Sequence, residues 1–226
     1  KGSSREVATL AHGLAADLLK AYPVPLAPAK APDPAMGTRL YVQSCSSCHG
    51  LTGDGHGPDA ARLDPPPIAF TDAERARQRS VFALYQVISQ GIDGTAMQSF
   101  ADLPNDQRWA LAFYVGGKAV SDQEADAGEQ ALRGTPGLKA DMTLDTVIGK
   151  APADVRDEIG KPAVQAMGYL RRNPEALFSQ NRFIEISDAK LGEAAGLYAD
   201  GDRAAAMRYT EARLTEYARA MLDGID

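Results

Sequence analysis

Two thiols and an imidazole occur within five consecutive residues of the chain. Cys45, Cys48 and His49 have the C-x-x-C-H spacing that is typical of covalent c-type haem attachment. On a helix, positions i, i+3 and i+4 share one face, so both thiols would point at the vinyl groups of one porphyrin, with the imidazole beneath its iron. The sequence has 2 cysteines, both in this motif, which leaves none for a disulfide or a four-thiolate metal site. We predict one covalent haem c; the alternative is a thioredoxin-type dithiol.

A second iron ligand is predicted at Met97, in a loop between two helices where flanking glycines let the backbone approach a porphyrin closely. Ligation by histidine and methionine raises the reduction potential of a haem and suits electron transfer. The alternatives are a bis-histidine site that uses His56 or His12, or an open iron. We interpret both of these histidines as exposed.

A backbone carbonyl should fix the orientation of His49. An iron-bound histidine usually donates its other ring nitrogen to a carbonyl or carboxylate. The proline-rich stretch after the motif is the predicted source of this acceptor, with the carbonyl of Pro66 or Pro67 as the candidate.

Apolar periodicity, caps and helix breakers predict an all-α fold that positions these groups. Residues 1–35 form an N-terminal helix and a proline-rich linker, residues 36–120 carry the haem motif, and residues 121–226 are helical and end in a hairpin. Ser121 and Glu124 match a capping box. We predict that the N-terminal helix packs with the C-terminal helices as a bundle. Further helices are predicted at 36–49, 80–90, 143–148, 152–159 and 162–172.

The charge balance argues against nucleic acid as a partner. The formal net charge is -6, and all of the excess lies in residues 121–226, whereas phosphate binding requires a basic surface. The longest apolar run, Trp109 to Val115, is far shorter than the ~20 residues of a membrane span. We predict no membrane span in this chain.

Residues 36–118 resemble a class I cytochrome c. The resemblance lies in Cys45-Ser-Ser-Cys48-His49-Gly50, the proline-rich loop, the loop from Thr95 to Phe100 and the closing aromatic helix. It implies thioethers at both cysteines, His49 as the proximal ligand, Met97 as the distal ligand, and electron transfer as the role. Because bacterial c-type cytochromes mature outside the cytoplasm, it also implies a periplasmic location. Gln98 stands where proline is common in relatives.

The flanks are similar to the extracytoplasmic region of bacterial oxidase-dependent iron permeases, in Leu18 to Pro23 and in Lys190 to Ala206. That resemblance implies a cytochrome that accepts electrons during ferrous-iron oxidation, coupled to uptake through a membrane permease, with a downstream electron acceptor. The permease would be a partner or part of the same polypeptide, tethered to the inner membrane.

Carboxylates in the acidic second half would then bind Fe²⁺ or Fe³⁺, with solvated helix faces as the alternative interpretation. Whether the chain is an enzyme stays open, ferrous-iron oxidation being the candidate activity. A general electron carrier, or a cytochrome subunit of a respiratory dehydrogenase or oxidase with a helical docking tail, is the alternative function. The candidate iron carboxylates are Glu124, Asp126, Glu129, Glu193, Asp200 and Asp202.

Overall fold

The computed structural model describes residues 27–179, and all regular secondary structure in this range is helical, as predicted. A 3-10 turn spans Ala60–Arg62, and residues 174–179 are also helical. The α-helices are α1 (Pro34–Ser44), α2 (Ser46–His49), α3 (Ala73–Ala76), α4 (Val81–Gln90), α5 (Asn105–Gly117), α6 (Asp122–Gly134), α7 (Leu138–Asp141), α8 (Leu144–Gly149), α9 (Pro152–Glu158) and α10 (Lys161–Arg172).

Local sequence signals set the ends of the main helices. Asp33 caps α1 by accepting a hydrogen bond from Ala35 N at 2.8 Å, and proline occupies the first helical position. Ser80 caps α4, which ends at Gly91. The capping box of α6 is confirmed, because Ser121 Oγ accepts from Glu124 N while the Glu124 carboxylate accepts from Ser121 N. These caps satisfy backbone groups that the helix itself leaves unpaired.

Helix α5 forms the centre of the first half of the fold and is buried on nearly all sides. It packs against α1 and α4. The crossing with α1 depends on Gly37, since a Cβ there would lie 2.5 Å from Ala110 O and 2.9 Å from Tyr114 Cβ. On the α4 side, the Trp109 ring stacks on Tyr85 with centroids 4.1 Å apart. Helix α1, which precedes the haem motif, is therefore held tightly against α5.

Helices α6 to α10 belong to the same compact unit as α1 to α5. Contacts group residues 1–174 in one unit and residues 175–226 in another, and the domain boundary at 120/121 stays a prediction. Helix α10 packs against both α6 and α5. Arg172 adds polar contacts to the α5–α6 connection, donating to Val120 O at 3.1 Å and to Asp122 at 2.7 Å.

The predicted N-terminal helix and C-terminal hairpin lie outside the described residues, so their packing as a bundle stays a prediction. Residues 27–33 of the linker contain no regular helix. Within residues 27–179, no helix has the length and apolar character that a membrane crossing requires.

Candidate functional site

The Cys45–His49 turn lies at a bend between two helices. The sequence predicted one helix through this motif, but α1 ends at Ser44 and α2 begins at Ser46. His49 N still donates to Cys45 O at 2.9 Å, so the thiols and the imidazole stay on one turn. Both thiols are free and half-buried. Burial, and then the neighbouring Cys48 thiol, raise the pKa of Cys45 to about 11, which keeps this thiol protonated near neutral pH.

The His49 ring is oriented by the loop that follows the motif. Its Nδ1 lies 3.1 Å from Ile68 O, and the Phe70 ring stacks on it with centroids 4.4 Å apart. The predicted acceptor, Pro66 or Pro67, was therefore wrong by one or two residues. Burial lowers the pKa of His49, while the bond to Ile68 opposes this effect. A neutral imidazole with Nδ1 engaged by a carbonyl offers Nε2 to a metal.

A glycine-rich loop joins the motif to the proline-rich stretch. It satisfies the carbonyls at the end of α2, since Gly55 N donates to His49 O at 2.9 Å and Gly57 N donates to Cys48 O at 3.1 Å. Gly55 has a φ of +82°, and a Cβ there would lie 2.9 Å from Pro67 O. The loop thus packs directly against the segment that holds His49. His56 is exposed, as predicted, with its Nδ1 3.8 Å from Asp54.

Lys118 and two tyrosines fix the residues immediately after His49, a contact that the sequence did not predict. The Tyr41 hydroxyl donates to Gly50 O at 2.8 Å, and Lys118 Nζ donates to Leu51 O at 3.3 Å. The same ammonium lies 4.5 Å from the ring centroids of Tyr41 and Tyr114, a cation–π arrangement. The sequence shows aromatic residues in both helices, but it does not indicate that the Lys118 ammonium lies against both rings.

Met97 lies half-buried in the loop between α4 and α5. Its carbonyl accepts from Ile92 N at 2.9 Å, and its N–H donates to Thr95 Oγ1 at 3.1 Å. Ser99 Oγ ties the loop to the end of α4 by donating to Ser89 O at 2.7 Å. The loop backbone around Met97 is well anchored, and its role as a ligand stays a prediction.

The residues present fit a covalently attached haem. Two free thiols and a neutral imidazole share one turn. Large apolar side chains close to the candidate ligands in the sequence are exposed to solvent. Leu51, two residues after His49, is 68% exposed, and Ile92, in the Met97 loop, is 47% exposed. A flat apolar ring system suits such a surface.

Comparison with known protein families gives a match that covers the two thiols, His49 and Met97. The family described as "Cytochrome C oxidase, cbb3-type, subunit III" matches residues 32–115. Residues 32–115 are a class I c-type cytochrome domain. The domain implies haem c as its cofactor and electron transfer as its role.

Two further likenesses are partial. A chain of the Kuenenia stuttgartiensis reducing HAO-like protein complex is 30% identical, with a TM-score of 0.34, over 41% of this chain and 47% of that chain. A DNA topoisomerase 4 chain of Caulobacter vibrioides is 34% identical over 37% of this chain and 15% of the topoisomerase chain. The chain thus spans less than half of either protein, and neither likeness assigns it an activity.

The candidate iron carboxylates next to the cytochrome domain are not brought together. Glu124 accepts the capping-box bonds of Ser121, Glu129 pairs with Arg133 at 2.7 Å, and Asp126 is exposed. Within residues 27–179, no group of three or more histidine, cysteine, aspartate or glutamate residues is arranged to hold a metal ion. Glu193, Asp200 and Asp202 lie outside the described residues.

Proposed function

We propose that the protein is a periplasmic monohaem cytochrome that transfers electrons through a haem c ligated by His49 and Met97. The observation that carries this proposal is the 3.1 Å contact between His49 Nδ1 and Ile68 O beside two free thiols. One haem is proposed because both cysteines of the chain lie in one motif. The periplasmic location is supported by the resemblance to bacterial c-type cytochromes.

Each side chain has a definite part in this proposal. Cys45 and Cys48 would hold the haem through thioethers, and His49 would bind its iron through Nε2. The Ile68 carbonyl orients the imidazole and increases its basicity as a ligand. When bound, haem c supplies a one-electron redox centre, and a soft thioether from Met97 favours its ferrous state.

The proposed electron donor is ferrous iron, oxidised during uptake through a membrane permease. Support comes from the resemblance of the flanks to oxidase-dependent iron permeases and from the acidic character of residues 121–226. Hard carboxylate oxygens favour the ferric state, so iron bound by them would give up its electron more readily. The candidate ligands are now Glu193, Asp200 and Asp202.

Anaerobic stopped-flow mixing tests this donor. Ferric holoprotein is mixed with ferrous iron, and the absorbance of the reduced haem is followed; ascorbate serves as a general reductant. We expect rapid reduction by ferrous iron that is slowed at least tenfold in Asp200→Asn/Asp202→Asn and unchanged in the matched pair Glu124→Gln/Asp126→Asn. Reduction by ascorbate but not by ferrous iron would reject iron as the donor while leaving the cytochrome function intact.

The second candidate is a cytochrome subunit of a respiratory oxidase, which the description of the matching family favours. Its partner would be a protein whose basic surface binds the acidic residues of the segment 121–226. Neutralising those acids would then weaken association in a salt-dependent manner without altering reduction by ferrous iron. These two measurements separate the candidates.

A further inference from the structure

Arg171, near the end of α10, is a deeply buried cation. It is 4% exposed, and its Nη1 and Nη2 donate to two backbone carbonyls, Arg79 O at 3.3 Å and Lys150 O at 3.1 Å. Its Nε is buried and has no hydrogen-bond partner. Burial lowers the pKa of the guanidinium to about 10, so the group is still charged at neutral pH. Because a buried charge with an unsatisfied donor is costly, an acceptor beside Nε is expected.

The acids of the neighbouring helix α3 do not supply this acceptor. Asp72 caps that helix by accepting from Glu74 N at 3.0 Å and from Arg75 N at 3.2 Å, and the Glu74 carboxylate pairs with Arg77. Within residues 27–179, no ion pair joins Arg171 to a carboxylate. The counter-charge of Arg171 is therefore missing from the described part of the chain.

Arg171 lines a small cavity that has room for one small ion. The cavity measures about 30 Å³, which is the space of about two water molecules and too little for a tetrahedral oxyanion such as phosphate. No acid is among the described residues that line it, whereas three arginines are: Arg75, Arg79 and Arg171. Apolar side chains, including Leu84 and Val115, form much of the remaining wall. A positive lining without acids favours an anion over a cation, and a water molecule alone would leave the buried charge uncompensated.

We propose that this cavity binds one inorganic monoanion of about the size of chloride, which accepts a hydrogen bond from Arg171 Nε. The apolar wall favours a weakly hydrated monoanion, because such an ion loses less hydration energy on burial. Arg171 also joins α10 to the carbonyls that precede α4 and follow α8, so the bound ion stabilises the packing of α10. None of Cys45, Cys48, His49 and Met97 lines the cavity, so the site is independent of the proposed function.

Anomalous scattering from bromide tests the site directly, because bromide replaces chloride and can be identified in electron density. Crystals of the full chain are soaked in bromide, and we expect an anomalous peak within hydrogen-bond distance of Arg171 Nε. Density without an anomalous signal would mean a water molecule, and a side-chain carboxylate in the cavity would mean an acid of the chain. Peaks only at exposed guanidinium groups such as that of Arg75 would mean an adventitious ion only. Each of these three results overturns the proposal.

Thermal unfolding in solution separates a specific site from binding at crystal concentration only. Chloride replaces sulfate, which is too large for the cavity, at constant ionic strength. We expect the unfolding temperature of the wild type to rise with chloride and to reach a plateau as the site fills, because a ligand that binds only the folded state stabilises it. A flat response, or a rise without a plateau, would overturn the proposal.

Two neighbouring variants test the role of Arg171 in this response. Arg172→Gln is the matched control, since the Arg172 guanidinium contacts Val120 O and Asp122 instead. We expect Arg172→Gln to keep the saturating chloride response and Arg171→Gln to lose it. Equal responses in the two variants would overturn the assignment of Arg171 as the donor. If Arg171→Gln does not fold, the bromide peak and the wild-type plateau decide together, and the absence of either overturns the proposal.

Discussion

The carbonyl oxygen of Ile68 lies 3.1 Å from Nδ1 of His49, across nineteen residues of chain. Gly55 helps to set the position of this carbonyl. Its φ of +82° brings its Cα close to the Pro67 carbonyl and to Ala69 N, which a Cβ at Gly55 would approach to 2.9 and 3.3 Å. The backbone on both sides of Ile68 therefore packs against a position that only glycine occupies without strain.

Replacing Gly55 by alanine should both destabilise the protein and alter the haem. A left-handed backbone conformation costs a non-glycine residue roughly 1–2 kcal/mol, and the added Cβ displaces the segment that holds His49. A weaker Nδ1 hydrogen bond makes the imidazole a less basic ligand, so the reduction potential should rise. Denaturant unfolding and redox titration measure the two effects.

Gly137→Ala is the matched control for this substitution. Gly137 has a φ of +81°, but a Cβ there would have no neighbour within 4 Å. We expect a similar loss of stability with an unchanged potential. The same potential in the Gly55 variant and in wild type would contradict the proposed role of the Ile68 carbonyl.

Lys118→Met should destabilise the segment after the haem motif. Methionine keeps an apolar stem but loses the cation between Tyr41 and Tyr114 and the donor to Leu51 O. We expect the free energy of unfolding to fall by about 1–3 kcal/mol. The control is Lys161→Met, an exposed lysine with no ion pair in the described range, where the change should stay within about 0.5 kcal/mol. Equal effects of the two substitutions would argue against the cation–π contact.

Tyr41 should make stability depend on pH in the alkaline range. Burial, and then the nearby Cys45 thiol, hold the pKa of Tyr41 well above its ordinary value. Above about pH 10, the unfolded chain releases this proton while the folded protein retains it, so the free energy of unfolding falls by up to about 1.4 kcal/mol per pH unit. Tyr41→Phe should lose this contribution, together with the hydrogen bond to Gly50 O. Parallel stability curves for wild type and variant above pH 10 would contradict it.

Glu124 should make the stability of the protein depend on pH in the acidic range. Hydrogen bonds from the Ser121 backbone, and then from its side chain, lower the pKa of Glu124. A carboxylate with a lowered folded pKa stabilises the protein above its ordinary pKa of about 4.3, and this contribution is lost as the pH falls through the folded value. Ser121→Ala should cost about 1 kcal/mol at neutral pH and weaken this acid dependence. A variant as stable as wild type at pH 7 would show that the cap does not matter here.

Local signals explain most of what the sequence predicted correctly. The helices at 80–90, 143–148, 152–159 and 162–172 appear within one or two residues of their predicted bounds, because their caps, breakers and apolar periodicity are local properties. The haem motif was recognisable for the same reason, because its two cysteines and its histidine lie within about one helical turn of sequence.

The differences depend on backbone detail and on distant contacts. Ser46 Oγ donates to Val42 O at 2.7 Å, a local bond that bends helices, and the predicted continuous helix breaks at the neighbouring Cys45. The backbone path of the loop decides which carbonyl contacts His49. The spacing of residues in the sequence does not determine that path. Arg171 lies 122 residues after His49 in the sequence, and no periodic pattern indicates that it lines a cavity beside Ile68.

The visible absorption of the ferric holoprotein tests the central claim most directly. A thioether bound to ferric haem iron gives a weak charge-transfer band at the red end of the spectrum. We predict that the wild type shows this band, that Met97→Ala loses it while keeping the covalent haem, and that Met36→Ala, a half-buried methionine on α1, retains it. A colourless protein, or a Met97→Ala variant that keeps the band, would contradict the account.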